Sequence, residues 1–198
     1  MCRPAARFEP DHAVPKSLVA DGTIYGQIFP APGSRVKIHY CTLWDQDCGR
    51  TKHPLDAEHV LIPISMGLEA EPEELYWYAG AHETTTCEMS SGGHVEAVTI
   101  PHNHRIVWSS SGKYAPYFRK EMCGQGCGGD SCQDAIELPR SGRVTNIGEL
   151  AWSMYGSSWV KSPTWPVADR MDSDFTSDVM AQLEPAPRET ILTLRGSP

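Results

Sequence analysis

The sequence predicts a mostly β protein, an antiparallel β-sandwich with a few flanking short helices, and three observations carry that expectation. Seven short runs rich in β-branched and aromatic residues recur between Thr23 and Leu194. Turn signals punctuate them: Pro30-Ala31-Pro32-Gly33, Asp47-Cys48-Gly49, Gly92-Gly93 and Pro101-His102-Asn103. The 198 residues include 16 Pro and 17 Gly, more than the interiors of a helical bundle tolerate. That length favours one buried core. Residues 1–22 therefore read as a tail or draped segment, and 23–198 as a single β-sandwich domain with a helical C-terminal elaboration.

In chain order, Met1 to Val14 mixes Pro, Ala and charge without periodicity, as a tail does. Strands are expected over Thr23 to Phe29, Arg35 to Leu43, His59 to Met66, Glu74 to His82, His94 to Ile100, Arg105 to Ser109 and Thr190 to Leu194. The C-terminal third differs. Ile147 to Tyr155 and Ser173 to Leu183 fit helical spacing, the second putting Phe175, Val179 and Leu183 on one stripe that covers a sheet face or edge. Between them Trp159 to Trp165, with Pro163 and Pro166, reads as an extended connector.

A net charge of −8 without any Lys/Arg block removes the electrostatic footprint of a nucleic-acid partner. No apolar run approaches the roughly 18 residues of a membrane span, and Met1 to Pro15 lacks a signal peptide's apolar core. The chain is expected to be soluble. Six of the seven cysteines, Cys41, Cys48, Cys87, Cys123, Cys127 and Cys132, lie in Gly/Asp/Ser-rich surroundings. Disulfides in a secreted, periplasmic or cell-surface protein are the leading reading. A zinc site using Cys123, Cys127 and Cys132 with a fourth ligand is the alternative. Cys2, directly after Met1, is either an exposed tail cysteine or the lipid-carrying residue of a processed lipoprotein, and membrane association is expected only if Cys2 is lipidated.

Asp45 to His59, DQDCGRTKHPLDAEH, is the densest run of metal-competent side chains in the chain. In extended geometry Asp56 and Glu58 point to one side and His59 to the other, so the two carboxylates are natural co-ligands and His59 a core or supporting residue. Carboxylates this close repel and raise each other's pKa unless a cation neutralises them. Oxygen-rich ligation with one imidazole favours Mg²⁺ or Ca²⁺, or else Mn²⁺. The alternative is a solvated acidic loop whose Asp residues cap turns.

His39 alternates onto the side of Lys37 and Cys41, from where it either reaches the site or serves as a structural histidine. His82 and Glu83, where a strand exits into a loop, are the next candidates for supporting or substrate contacts. His94, His102 and His104 read as surface residues. Trp44, Tyr76, Trp77, Tyr78 and Trp108 read as core, although alternation through Tyr76 to Tyr78 presents aromatics on both sheet faces, one of them a potential binding surface. Ser110-Ser111-Gly112-Lys113 lacks the upstream glycine of a phosphate loop, and the Ser110-x-x-Lys113 spacing lacks the companion motifs of a penicillin-binding nucleophile. Glycines between Cys123 and Cys132 fit a disulfide-knotted loop as well as an anion nest.

The order Asp45, seven residues, His53, two residues, Asp56, one residue, Glu58, then His59-Val60 and an apolar strand, resembles the metal-binding heart of the necrosis-inducing cytolysin family. That family's hallmark is a Gly-His-Arg-His-Asp-Trp-Glu heptad opening a central strand of a β-sandwich flanked by helices. A second stretch, His104 to Phe118 (HRIVWSSSGKYAPYF), resembles a segment of the related vacuolar-protein-sorting sixty-two-like family. Together they cover Arg35 to Phe118. The resemblance implies a divalent ion held by Asp45, His53, Asp56 and Glu58 in a surface cavity that engages the sugar headgroup of a sphingolipid. His59 and Asp47 would support it, Asp47 also as a substitute for Asp45. The chain departs from the heptad at Lys52, Leu55 and Ala57, and has Tyr114 where the second pattern has His, so neither cytolysis nor that lipid target follows.

Three functions are consistent with these residues. The first is an extracytoplasmic metal-binding domain that recognises a glycan or small polar ligand such as a lipid headgroup. The second is a metal-dependent hydrolase of phosphoesters, glycosides or esters, with His39, His82 or Glu83 as general base. The third is a disulfide- and metal-stabilised structural domain. No complete set of nucleophile, base and oxyanion donors is present, which places recognition ahead of catalysis.

Overall fold

The β-branched and aromatic residues of Ile24–Ala31 and the alternating start of Arg35–Asp47, joined by the Pro32-Gly33-Ser34 turn, form the hairpin of strands β3 and β4. The computed structural model describes residues 6–7, 17–18, 24–47, 53–67, 71–83, 85–100, 104–105, 107–125, 129–132, 144–146 and 177–194. Side chains of 43–47 and 53–57 are outside that description. Before the hairpin, β1 (Ala6–Arg7) and β2 (Ser17–Leu18) pair as a small ribbon.

The β4 strand pairs antiparallel with β5 (His53–Ser65) from Arg35↔Ser65 to Asp47↔His53. Beyond β5 lie β6 (Glu73–Glu74), β7 (Tyr76–Ala79) and β8 (Ser91–His94). Then come helix α1 (Val95–Val98), β9 (Thr99–Ile100), β10 (His104–Arg105), β11 (Trp108–Ser109), β12 (Pro116–Tyr117) and α2 (Lys120–Cys123). The chain closes with β13 (Val144–Asn146), α3 (Ser177–Leu183) and β14 (Ile191–Thr193). Eight strands make one sheet in the order β13-β3-β4-β5-β7-β8-β14, with β6 beside β5. Its pairings are antiparallel except the β13–β3 edge.

Successive residues of β7 feed two cores. Trp77 and Ala79 face a cluster of Met89, Val98, Ala115, Tyr117, Phe118 and Met122, built from the β11–β12 ribbon and the short helices. Tyr76 and Tyr78 pack with Leu61, Val179 and Leu183 on the other face, under α3. The mostly β class and flanking short helices are as expected; among the described residues the layer opposing the main sheet is a two-stranded ribbon rather than a second large sheet. Both sides of Tyr76 to Tyr78 are covered, so the open aromatic face considered from the sequence is not there.

Gly92-Gly93, expected as a turn, lies inside buried strand β8. A Cβ on Gly92 would strike Val179 and Leu183, so the missing side chain lets α3 approach the sheet. The run expected as a strand over His94 to Ile100 becomes the end of β8, α1 and β9, because Val95-Glu96-Ala97-Val98 curls into one helical turn. Arg105 to Ser109 divides between β10 and β11. Strand β5 begins six residues earlier than expected, so His53 to Glu58 stand in a ladder with the end of β4. Val179 and Leu183 of the expected helical stripe are buried, each 1% exposed. Phe175, Ile147 to Tyr155 and Trp159 to Trp165 lie outside the described residues.

Candidate functional site

The hairpin β4–β5 brings the acidic and imidazole positions onto adjacent strands. Thr42 lies opposite Glu58, Trp44 opposite Asp56, and Asp47 opposite His53. Antiparallel partners stand about 4.5–5.5 Å apart at Cα. Of the sequence-derived ligand set, Glu58 is the residue whose side chain is described; it is half-buried and close enough to Tyr117 to act electrostatically on its phenol. Among the described residues no group of three or more His, Cys, Asp and Glu side chains is placed to hold a metal ion, and the side chains of Asp45, Asp47, His53 and Asp56 lie outside them.

On the face of β4 and β5 that packs against α3, four polar groups are buried together. Rungs Cys41↔His59 and His39↔Leu61 bring His39 and His59 onto one side. Their rings lie 6.2 Å apart, nearly parallel, and Phe29 meets His39 edge-on. His59 Nε2 is 3.1 Å from Glu83 Oε2, and the Tyr78 hydroxyl donates to Glu83 Oε1. Burial first, then the charges of His59 and Lys37, lower the His39 pKa to about 3, with Glu83 opposing. Burial and then Glu83 push the Tyr78 phenol well above its ordinary value. Gly80 permits this packing, since a Cβ there would overlap the His59 ring. His39, His59 and Glu83 thus belong to an interior network and do not present a base to solvent. His94, expected at the surface, is buried, and its Nε2 donates to the Leu183 and Ala186 carbonyls at the end of α3.

His82, the neighbour of Glu83, is held on a different network. Its Nε2 lies 2.6 Å from Asp130 Oδ2, and the Tyr117 hydroxyl donates to that same oxygen. Lys113 Nζ is 3.1 Å from Oδ1. Burial is the largest influence on Asp130 and raises its pKa, but hydrogen bonds from His82 and Tyr117, the His82 charge and Lys113 together outweigh it, so the carboxyl ends below its ordinary value. Tyr117 is pushed far up by burial, by its bond to Asp130, and by the charges of Asp130 and Glu58.

A disulfide-anchored loop carries Asp130. Cys123 and Cys132 are bonded and enclose the loop bearing Asp130, and Cys87 is also disulfide-bonded. The loop is stitched to the 110–114 turn by Ser111 N donating to Ser131 O at 2.7 Å. His82 and Tyr114 adopt φ of 50° and 62°, left-handed values that cost a non-glycine residue about 1–3 kcal/mol and collect at functional sites. The zinc alternative falls, because Cys123 and Cys132 are joined to each other and thiolates are needed to bind the metal. Cys41, a disulfide candidate, is instead a thiol buried at mid-strand opposite His59. Cys48 and Cys127 lie outside the described residues.

Sequence reasoning singled out His82 but missed Asp130, Tyr117 and Lys113 as its partners. The only advance signal for Asp130 was its place in the glycine-rich loop between two cysteines. Lys113 stood in a stretch weighed as a phosphate loop and set aside.

No family model and no curated protein matches the chain. Among solved structures it is similar to NLPPya in complex with glucosamine, at 11% identity over 75% of this chain and 65% of that one, with a TM-score of 0.46. A mutant of NLPPya gives 12% identity, 75% and 66% coverage and a TM-score of 0.45. The non-toxic HaNLP3 protein gives 20% identity over 47% of this chain and 37% of that one, with a TM-score of 0.28. These are necrosis and ethylene-inducing peptide 1-like proteins, and the chain spans 65% and 66% of the length of the two NLPPya structures.

Proposed function

We propose that this chain is an extracytoplasmic domain that holds a divalent cation, Mg²⁺ or Ca²⁺ or else Mn²⁺, through Asp45, His53, Asp56 and Glu58, and uses it to recognise a glycan or polar lipid headgroup. The observation that carries this reading is the β4–β5 register, which gathers Asp47 and His53, Asp56 and Glu58 on the last rungs of one hairpin. Three carboxylates and one imidazole suit a hard or borderline ion. Strict alternation sends odd and even rungs to opposite faces. The β4–β5 register is constant through these rungs, from Trp44↔Asp56 to Gln46↔Pro54 and Asp47↔His53, so the ligand set requires Asp45 and His53 to reach round from the face opposite Asp56 and Glu58. When bound, the ion offers open coordination positions to ligand hydroxyls. Glu58, beside Tyr117, links that end of the hairpin to the His82 and Asp130 network. The Cys123–Cys132 disulfide fits an oxidising compartment.

Calorimetric titration with calcium, magnesium and manganese tests the metal. One site per chain is expected, weakened at least 100-fold in Asp56→Ala. A glycan array, for which glucosamine-bearing glycans are a sensible first panel, tests recognition. Binding should vanish with chelator and in Asp56→Ala. Absence of any cation site in the folded chain would overturn the proposal.

A further inference from the structure

We infer that the outer edge of β14 is an interface for a second copy of this chain, the two copies pairing antiparallel about a two-fold axis at Leu192 so that one sheet runs through both. The inference stands apart from the recognition reading, since β5 lies three strands in from this margin. The register states which backbone groups face outwards. Leu194 N donates to Ser90 O at 2.8 Å, in the same alignment that pairs Ile191 with Gly93 and Thr193 with Ser91. An antiparallel ladder repeats every second residue, so Leu192 and Leu194 turn their backbone groups to β8 while Ile191 and Thr193 turn theirs away. Among the described residues no strand lies beyond β14. Burial steps down there: Ser91, Gly92 and Gly93 are buried, whereas Ile191 to Leu194 are half-buried.

Edge strands that must stay single carry proline, charge or a bulge. The opposite margin is guarded in that way, with β13 laid against the start of β3 and Pro30 in the remainder. Thr190 to Leu194, TILTL, has neither proline nor charge. A second copy suits this edge because the segment is complementary to itself. About an axis at Leu192, Ile191 of each copy faces Thr193 of the other, and because both are outward residues each pair exchanges its N–H and C=O groups. Leu192 meets Leu192 on the face that carries α3, and the Ile191–Thr193 pairs lie on the other face. In sequence, Glu189 and Arg195 stand three residues either side of Leu192, so the same axis matches the exposed Glu189 of one copy with Arg195 of the other. The helices leave room for this. Gly92 lies under Val179 and Leu183, and three strand spacings of about 4.8 Å separate β8 from its copy, which sets the two α3 helices roughly 14 Å apart. A helix with its side chains is about 10–12 Å across. So narrow a contact buries less than the roughly 1,200 Å² of a standard interface, and a weak, reversible dimer is expected.

Sedimentation velocity of the full chain from about 1 to 500 μM, paired with amide hydrogen exchange, tests the inference. The wild type should pass from monomer to dimer as concentration rises. Across that range the amides of Ile191 and Thr193 should gain about tenfold protection, while that of Leu194, already bonded to Ser90, changes little. Thr193→Lys, which places a charge on the edge, should weaken dimerisation about tenfold or more. Glu189→Arg and Arg195→Glu should each weaken it and the two together restore it, a rescue that a structural role for either residue would not produce. Glu189 is exposed, so the charge exchange keeps the inference falsifiable if Thr193→Lys does not fold. A chain still monomeric at the highest concentration overturns the inference, as does a dimer indifferent to these substitutions. Ile191 and Thr193 amides already protected in the monomer would also overturn it, by showing the edge covered by another part of the same chain.

Discussion

A hydrogen atom at Gly80, where any other residue carries carbon, is what lets the His59 ring lie against β7 and reach Glu83. Gly80→Ala should therefore push the ring aside, break that bond and overpack the interior, lowering unfolding free energy by about 2–3 kcal/mol in urea titrations. His39, in the same interior, makes stability depend on pH. Its folded pKa, lowered to about 3 mainly by burial, lies below the roughly 6.5 of an unfolded imidazole. As pH falls from about 6.5 towards about 3 the unfolded chain takes up a proton that the folded chain refuses, so stability is lost through that window, at no more than about 1.4 kcal/mol per pH unit. Asp130 acts lower, since a depressed carboxyl loses its contribution as pH falls from its ordinary value towards its lower folded one. Between pH 6.5 and 4.5, His39→Phe should flatten the fall of the urea midpoint, and an unchanged slope would refute the assignment.

At the level of elements, the loop from Cys123 to Cys132 is a clamp that presents Asp130. Closing a separation of nine residues restricts the unfolded chain by roughly 2.5–3 kcal/mol. The double variant Cys123→Ala with Cys132→Ala should lose about that much stability, read by urea unfolding, and should also release Lys113 and His82, read as broadened side-chain resonances. Strands β3 and β4 were legible from the sequence because β3 is dense in strand formers, Ile24, Tyr25, Ile28 and Phe29, and β4 alternates through Val36, Ile38 and Tyr40, with a Pro-Gly turn between them. The start of β5 was not, because Pro54, Asp56 and Glu58 are poor strand formers that the long partner β4 carries along. Gly92-Gly93 misled for a related reason. Two glycines look like a turn until the helix that needs their bare backbone is known. The Asp130 network was illegible because its members are scattered over β12 and the segments following β7, β11 and α2, and only the tertiary fold joins them. The proposed ligand set was readable as a spacing pattern, and so remains the part of the site that the sequence alone could nominate.

For the whole molecule, a cation that binds the folded chain and not the unfolded one should stabilise it by about 2.7 kcal/mol at 100 times its dissociation constant. The midpoint of thermal unfolding should rise with calcium in the wild type and stay level in Asp56→Ala, measured at fixed ionic strength because a chain of net charge −8 also responds to screening. The sheet order adds a constraint on how this molecule is made. Its two outer strands, Val144–Asn146 and Ile191–Thr193, leave the ribosome well after the strands they shield, Ile24–Ala31 and Ser91–His94. Until those two strands emerge the nascent sheet has two raw margins, each able to recruit a neighbouring chain. Chaperone protection during biogenesis, and intolerance of deletions that remove Ile191–Thr193, follow from that order of arrival.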